Sequence, residues 1–280
     1  MATEELSIDA AAELLGVHYM TAYRYVRTGV LEGRKQGAKW IIDPASVREL
    51  QDRSSTTKRG RPAGPTTRAA HRDRLIACLV KGDDVGGWQT IEATMAAGAT
   101  PEQVYLDVLA PAMAEIGARW EQGTASVADE HRATAVAYRL LGLLGARHRR
   151  RGRRRGAVVI GAVHGDHHAL ATAILADLWR GRGYEVIDLG AHTPVDAFVS
   201  TAATTDRLLA VGLSASTPDT DDTVRETFSG LREAGVEAPL LLGGRGIPSE
   251  EHARSLGADH YAATGEAAIE LLERLDDVPG

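Results

Sequence analysis

The run Ala157-Val158-Val159-Ile160-Gly161-Ala162-Val163 is followed at once by His164-Gly165-Asp166-His167-His168 and then by an alanine-rich stretch from Leu170 to Trp179. A run this short, rich in β-branched residues and free of polar ones, reads as a strand buried on both faces, the pattern of a parallel sheet. The stretch behind it reads as a helix. The alternation recurs from Gly156 onward, with strands predicted near 157–163, 185–189, 208–213, 239–243 and 259–261. Gly or Pro punctuates most junctions. Five such units imply an α/β doubly wound parallel sheet over 156–280, with ligands bound at the carboxyl ends of its strands. No Gly-x-Gly-x-x-Gly follows the first strand, which disfavours a dinucleotide site.

A chain of 280 residues should form two or three domains, and 44% hydrophobic with 25% charged residues is ordinary for a soluble globular protein. The lone Cys78 excludes an intramolecular disulfide framework and fits a reducing compartment. No apolar run approaches a membrane span and the start does not resemble a signal peptide, so a cytoplasmic protein without a membrane partner is expected. The net charge of −6 hides a split: residues 1–68 carry +3, residues 69–155 carry +3, and residues 156–280 carry −12. A contact with phosphate therefore belongs at the front of the chain.

There, Ser7 can cap a helix running to Leu15, with Leu14 and Leu15 on its buried side. Gly16-Val17 makes a tight turn, and a second helix runs from about His18 to Arg27 with Ala22 and Val26 inward and Met20, Tyr23, Arg24 and Arg27 outward. The stretch from Arg34 to Ile42 reads as a hairpin with a basic tip, and Asp43-Pro44 starts another helix. From Leu6 to Leu50 this order resembles the winged helix-turn-helix of the MerR and excisionase families. The resemblance implies a DNA-binding domain over 1–51, partnered by double-stranded DNA. Its second helix would enter the major groove with His18, Tyr23, Arg24 and Arg27, while Arg34, Lys35 and Lys39 grip phosphates. The residues alone leave open a small helical protein-interaction domain.

Residues 52–68 are polar and rich in Gly, Pro, Ser and Thr, the composition of a linker. Over 69–150 the pattern is helical: Leu75 to Val80, Trp88 to Ala97, Thr100-Pro101 through to Trp120, and Val127 to Leu144. Four helices with short loops imply an antiparallel bundle, the third bent or broken by Pro111. The basic run from Arg147 to Arg155 suits either a solvated interdomain strap or an extra phosphate contact.

An imidazole at the tip of a strand, with a carboxylate two residues before it, suits a metal ligand held in one tautomer by its neighbour. Asp166-His167-His168-Ala169-Leu170-Ala171 resembles the Asp-x-His-x-x-Gly motif of cobalamin-binding domains, with Ala171 in place of the glycine. The resemblance implies a flavodoxin-like cobalamin-binding fold, His168 as lower ligand of the cobalt, and Asp166 orienting it. Ser214-Ala215-Ser216 resembles the family's Ser-x-Leu site, with Ser216 replacing leucine, and Gly243-Gly244 its paired glycines, which leave space for the cofactor's displaced nucleotide tail. In the bundle, nine residues separate Trp120 from Glu130-His131. That spacing resembles the helical cap of light-responsive, adenosylcobalamin-dependent repressors of the CarH type, where such residues line the upper face of the corrin. Those proteins carry a histidine directly after the tryptophan. This chain has Glu121 there, which puts the family's light step in doubt.

Together the resemblances imply a transcription regulator, not an enzyme, that binds adenosylcobalamin or methylcobalamin. Ligand state would set its oligomerisation, as dimer or tetramer, and thereby its grip on DNA. Alternatives are a corrinoid carrier for methyl transfer and a regulator of another tetrapyrrole or redox signal.

Overall fold

A computed structural model describes residues 6–15, 19–27, 29–37, 39–50, 65–148 and 154–277. The chain divides into two compact units, Met1–Pro62 and Ala63–Gly280.

In the first unit, α1 (Ile8–Leu15) opens on Ser7, whose hydroxyl accepts the Ala10 N–H at 3.2 Å. Helix α2 (Tyr19–Arg27) packs against it through Ala22 and Val26, which share a core with Ile8, Ala11, Leu31 and Ile42. Strands β1 (Gly33–Gln36) and β2 (Lys39–Ile42) form an antiparallel hairpin, with Gly37 at φ +62° in its tip. Helix α3 is described over 44–50 and follows Asp43, whose carboxylate accepts the Ala45 N–H at 2.8 Å. Two expectations change. Leu14 is exposed, because Ala11 and Ala12 take the inward face of α1, and Tyr23 leans on the core instead of pointing out. Arg27, Arg34 and Lys35 are exposed. His18 lies outside the described residues, as do the side chains of Met20, Arg24 and Lys39.

The second unit begins with α4 (Pro65–Lys81), so residues 65–68, expected in the linker, are helical with Pro65 at the first position. Helix α5 (Asp84–Ala96) is capped by Asp83, which accepts the Gly86 N–H at 2.8 Å. Thr100 and Gln103 form a reciprocal capping box at the start of α6 (Pro101–Val104). A π turn (Tyr105–Leu109) then leads into α7 (Ala110–Glu121), and α8 (Val127–His148) completes the bundle. The break expected at Pro111 appears as a change of helix type: a π turn ends at Leu109 and α7 starts at Ala110 with Pro111 in its first turn. The widened turn before it, where the Ala110 N–H bonds to the Tyr105 carbonyl, accommodates a residue that cannot donate.

The parallel sheet comprises β3 (Ala157–Ala162), β4 (Glu185–Asp188), β5 (Leu208–Ser214), β6 (Leu240–Gly243) and β7 (His260–Ala262), in the order β4-β3-β5-β6-β7. Successive side chains point to opposite faces. Val158, Ile160 and Leu241 join a core with α9 (Leu170–Gly181), α13 (Gly265–Asp276) and the bundle. Val159, Val211 and Leu242 join another with α10 (Val195–Thr204), α11 (Asp221–Glu233) and α12 (Glu250–Ser255). The order reverses between β3 and β5, which opens a crevice at their carboxyl ends.

Bundle and sheet are joined along α9. Tyr105 donates to the buried Asp177 carboxylate at 3.0 Å, and Arg180 reaches its other oxygen at 3.1 Å. Arg182 pairs with Glu102 at 2.8 Å and with Glu273. Of the basic run, residues 149–153 lie outside the described residues. Arg147 sits over Trp88 and pairs with Glu92, while Arg154 and Arg155 pair with Glu185 and Asp276.

Candidate functional site

The loop between β3 and α9 carries the densest polar geometry in the fold. Asp166 is fully buried, although a carboxylate is rarely so, and each of its oxygens is used. Oδ1 accepts the backbone N–H of His168 at 2.9 Å and its ring Nδ1 at 2.8 Å. Oδ2 accepts the Ser216 backbone N–H at 2.6 Å. A carboxylate can only accept, so Nδ1 bears the proton and Nε2 carries the lone pair. The His168 side chain is 59% exposed and its Nε2 makes no hydrogen bond among the described residues. Such a ring, fixed in tautomer from behind and open in front, has the chemistry with which one side chain could hold a metal ion.

The crevice brings together six of the residues singled out in sequence: Asp166, His168, Ser214, Ser216, Gly243 and Gly244. The Val163 N–H donates to the Ser214 carbonyl at 3.1 Å, and the Ala215 N–H to the Gly243 carbonyl at 2.9 Å. The glycine pair has a local cause of its own. Gly244 lies at φ +111°, and a Cβ there would fall 2.3 Å from the Ala215 carbonyl oxygen; one on Gly243 would fall 2.7 Å from that of Ala262. Backbone packing at the strand ends therefore requires both glycines, whatever the site holds.

The remaining three lie on the bundle. Trp120 closes α7 with its ring half exposed. Glu130 and His131 open α8 and bond to each other at 2.9 Å, and Thr134 donates to Glu130 at 2.7 Å. The end of α7 lies at the carboxyl edge of the sheet, because Glu121 pairs with Arg245, the residue after Gly244, at 2.5 Å.

Other groups at this edge escape the sequence reading. His192 sits at φ +51°, stacks on His167 at 4.7 Å and lies 4.1 Å from His164, with its Nδ1 accepting the Gly165 N–H. Lost hydration, then its two histidine neighbours, hold its imidazole below the ordinary range. Asp188 ends β4, and burial pushes its carboxyl up against the opposing Gly190 N–H and Arg180. Tyr138, two turns beyond Glu130 on α8, is raised by burial and then by the Asp188 charge. His164 and His167 were visible beside His168. Nothing in the sequence around His192 points to them.

Two family models, both described as B12 binding domain, match residues 71–144 and 156–273, and a third, described as helix-turn-helix domain, matches residues 5–55. The chain is 31% identical to a corrinoid protein of Desulfitobacterium hafniense over 44% of its own length and 57% of the relative's, so it spans little more than half of that protein. It is 28% identical to the dimethylamine corrinoid protein of Methanosarcina barkeri over 62% of this chain and 83% of that one. With trimethylamine corrinoid protein 1 of Methanosarcina mazei it shares 25% identity over 74% and 97%. The fold matches that of the Methanosarcina barkeri monomethylamine corrinoid protein with a TM-score of 0.64 at 18% identity, covering 74% of this chain and 99% of that one. Cobalamin is thus the cofactor this chain binds. Each of these relatives is named as a corrinoid protein, and none of them as a regulator. No described helix is long and apolar enough to cross a membrane.

Proposed function

We propose that this chain is a DNA-binding regulator whose grip on DNA depends on the cobalamin it holds. The observation that carries the reading is the presence, on one chain, of a helix-turn-helix match over residues 5–55 with an exposed basic hairpin strand and of B12-binding-domain matches over residues 71–144 and 156–273. A carrier has no evident use for the first.

In this reading His168 Nε2 would hold the cobalt of the cofactor, and Asp166 would orient the ring and raise its basicity. Trp120, Glu130 and His131 would shield the cofactor's organic group, adenosyl first and methyl second. Ser214, Ser216, Gly243 and Gly244 would border the corrin and leave room for its nucleotide tail. When bound, cobalamin supplies a cobalt–carbon bond whose upper group can be changed or cleaved. The chain's own part is to hold the ring, exclude water and let cap position report that group. Arg27, Arg34 and Lys35, with His18, Arg24 and Lys39, contact DNA from domain 1–51, joined by linker residues 52–64 to the cap, which starts with α4 at Pro65, and to cofactor domain 156–280. Homo-oligomerisation then links several modest contacts into one tight complex.

Gel shifts with the full chain, with and without adenosylcobalamin in the dark and after illumination, test the proposal. DNA affinity should change with cofactor state; identical shifts in every condition would end the regulatory reading, and identical shifts before and after light would remove photoreception alone. The second reading, a corrinoid carrier for methyl transfer, is favoured by the named relatives. Its mark is methylcobalamin passing its methyl group to an acceptor with no effect on DNA.

A further inference from the structure

Bundle and sheet meet in two places of very different character. Toward the carboxyl end of α9 the contact is buried: Tyr105 on Asp177, Arg182 on Glu102, and an apolar core continuous between bundle and sheet. At the crevice the described ion pair between them is Glu121–Arg245, whose side chains are 48% and 62% exposed, and Tyr138 on α8 feels the Asp188 charge. Exposed pairs hold weakly. The cap is therefore anchored at one end and lightly fastened at the other, where His168 faces out.

The light fastening is tied to His168 through short, stiff connections. Arg245 stands between Gly244 and Gly246, and a Cβ on either would meet backbone of residues 215–217 at 2.3 and 2.5 Å. The two loops thus touch with no side chain between them. The Gly246 N–H donates to the Ala215 carbonyl at 2.9 Å. The next residue, Ser216, donates to Asp166 Oδ2 at 2.6 Å, and Oδ1 of the same carboxylate holds His168 Nδ1 at 2.8 Å. At the cap end, the turn after Glu121 is fixed by the Thr124 and Ala125 N–H groups, both donated to the Arg119 carbonyl. A hydrogen-bonded and close-packed path thus runs from His168 through Asp166 and Ser216 to the loop that carries Arg245.

We infer that the Glu121–Arg245 pair is a latch through which the lower-ligand loop sets closure of the cap. The inference rests on the cofactor site proposed above. A change in the position of the His168 ring would change the seat of Arg245, and the latch would convert that change into a tighter or looser cap and a slower or faster loss of cofactor. A merely local rim contact would be indifferent to Asp166.

A double-mutant cycle on the full chain separates these cases. Cobalamin affinity is measured by absorbance titration in the dark for the unmutated chain, Arg245→Gln, Asp166→Asn and the double variant, with Glu121→Arg combined with Arg245→Glu as a rescue. The latch predicts that Arg245→Gln weakens binding by about two- to fivefold, the scale of an exposed pair. It also predicts little further effect once Asp166→Asn is present, and recovery in the charge swap. The same fold loss with and without Asp166→Asn, or no loss at all, overturns the latch while leaving the site intact. A chain that takes up no corrinoid overturns the site, and the latch with it.

Discussion

The Asp166 carboxylate is wholly buried and holds Nδ1 of His168 at 2.8 Å, while the His168 ring itself stands 59% exposed. The buried partner dictates the proton position and the exposed one offers the lone pair. Asp166→Asn keeps the shape but exchanges one accepting oxygen for an amide that donates. It should weaken cobalamin binding by about ten- to a hundredfold, as loss of an outer-shell partner does. Absorbance titration checks this, and affinity equal to that of the unmutated chain would show that Asp166 serves the loop alone.

Gly145 on α8 faces Asp177, and a Cβ there would fall 2.2 Å from Oδ2 of the carboxylate that Tyr105 binds. Gly145→Ala should destabilise the fold by about 1–3 kcal/mol through overpacking. Denaturant unfolding gives the number. Full stability in that variant would mean that bundle and α9 separate easily, against the anchored end described above.

Burial, against the pull of Glu102 and Asp177 and with the help of Arg182, holds the His148 imidazole below its ordinary 6.5. Its Nε2 is buried without a hydrogen bond among the described residues. The folded chain thus takes up this proton less readily than the unfolded one. Above pH 6.5 both states are neutral here; as pH falls below 6.5 the unfolded state gains the proton first, and stability drops until the folded pKa is reached. His148→Gln should flatten that part of the stability–pH curve. An unaltered slope would assign the effect to other groups.

Arg34 and Lys35 stand exposed on β1. If they meet phosphates, replacing both by alanine should weaken binding across all DNA sequences alike. The slope of log affinity against log salt should fall by about two. Loss of affinity for one sequence only would place them on base edges instead.

Much of this architecture was legible in the residues. The strand from Ala157 declares itself because both of its faces are buried, and the Asp166-x-His168 spacing suffices because both residues sit in one loop. What escaped depends on distance along the chain. Tyr105 meets Asp177 across 72 residues and Glu121 meets Arg245 across 124, and no local pattern records such pairs. Leu14 was misjudged because alanines can line a helix face as fully as leucines where helices approach closely. At Pro111 the sequence shows the missing donor, and so the break, but not that the break takes the form of a π turn.

The most direct measurement is the absorbance spectrum of the full chain titrated with adenosylcobalamin in the dark, beside His168→Ala. The account predicts that the chain colours with the cofactor's own base displaced and an imidazole on cobalt, and that the variant loses this spectrum and most of its affinity. A chain that stays colourless, or a variant with the same spectrum and affinity, would contradict it.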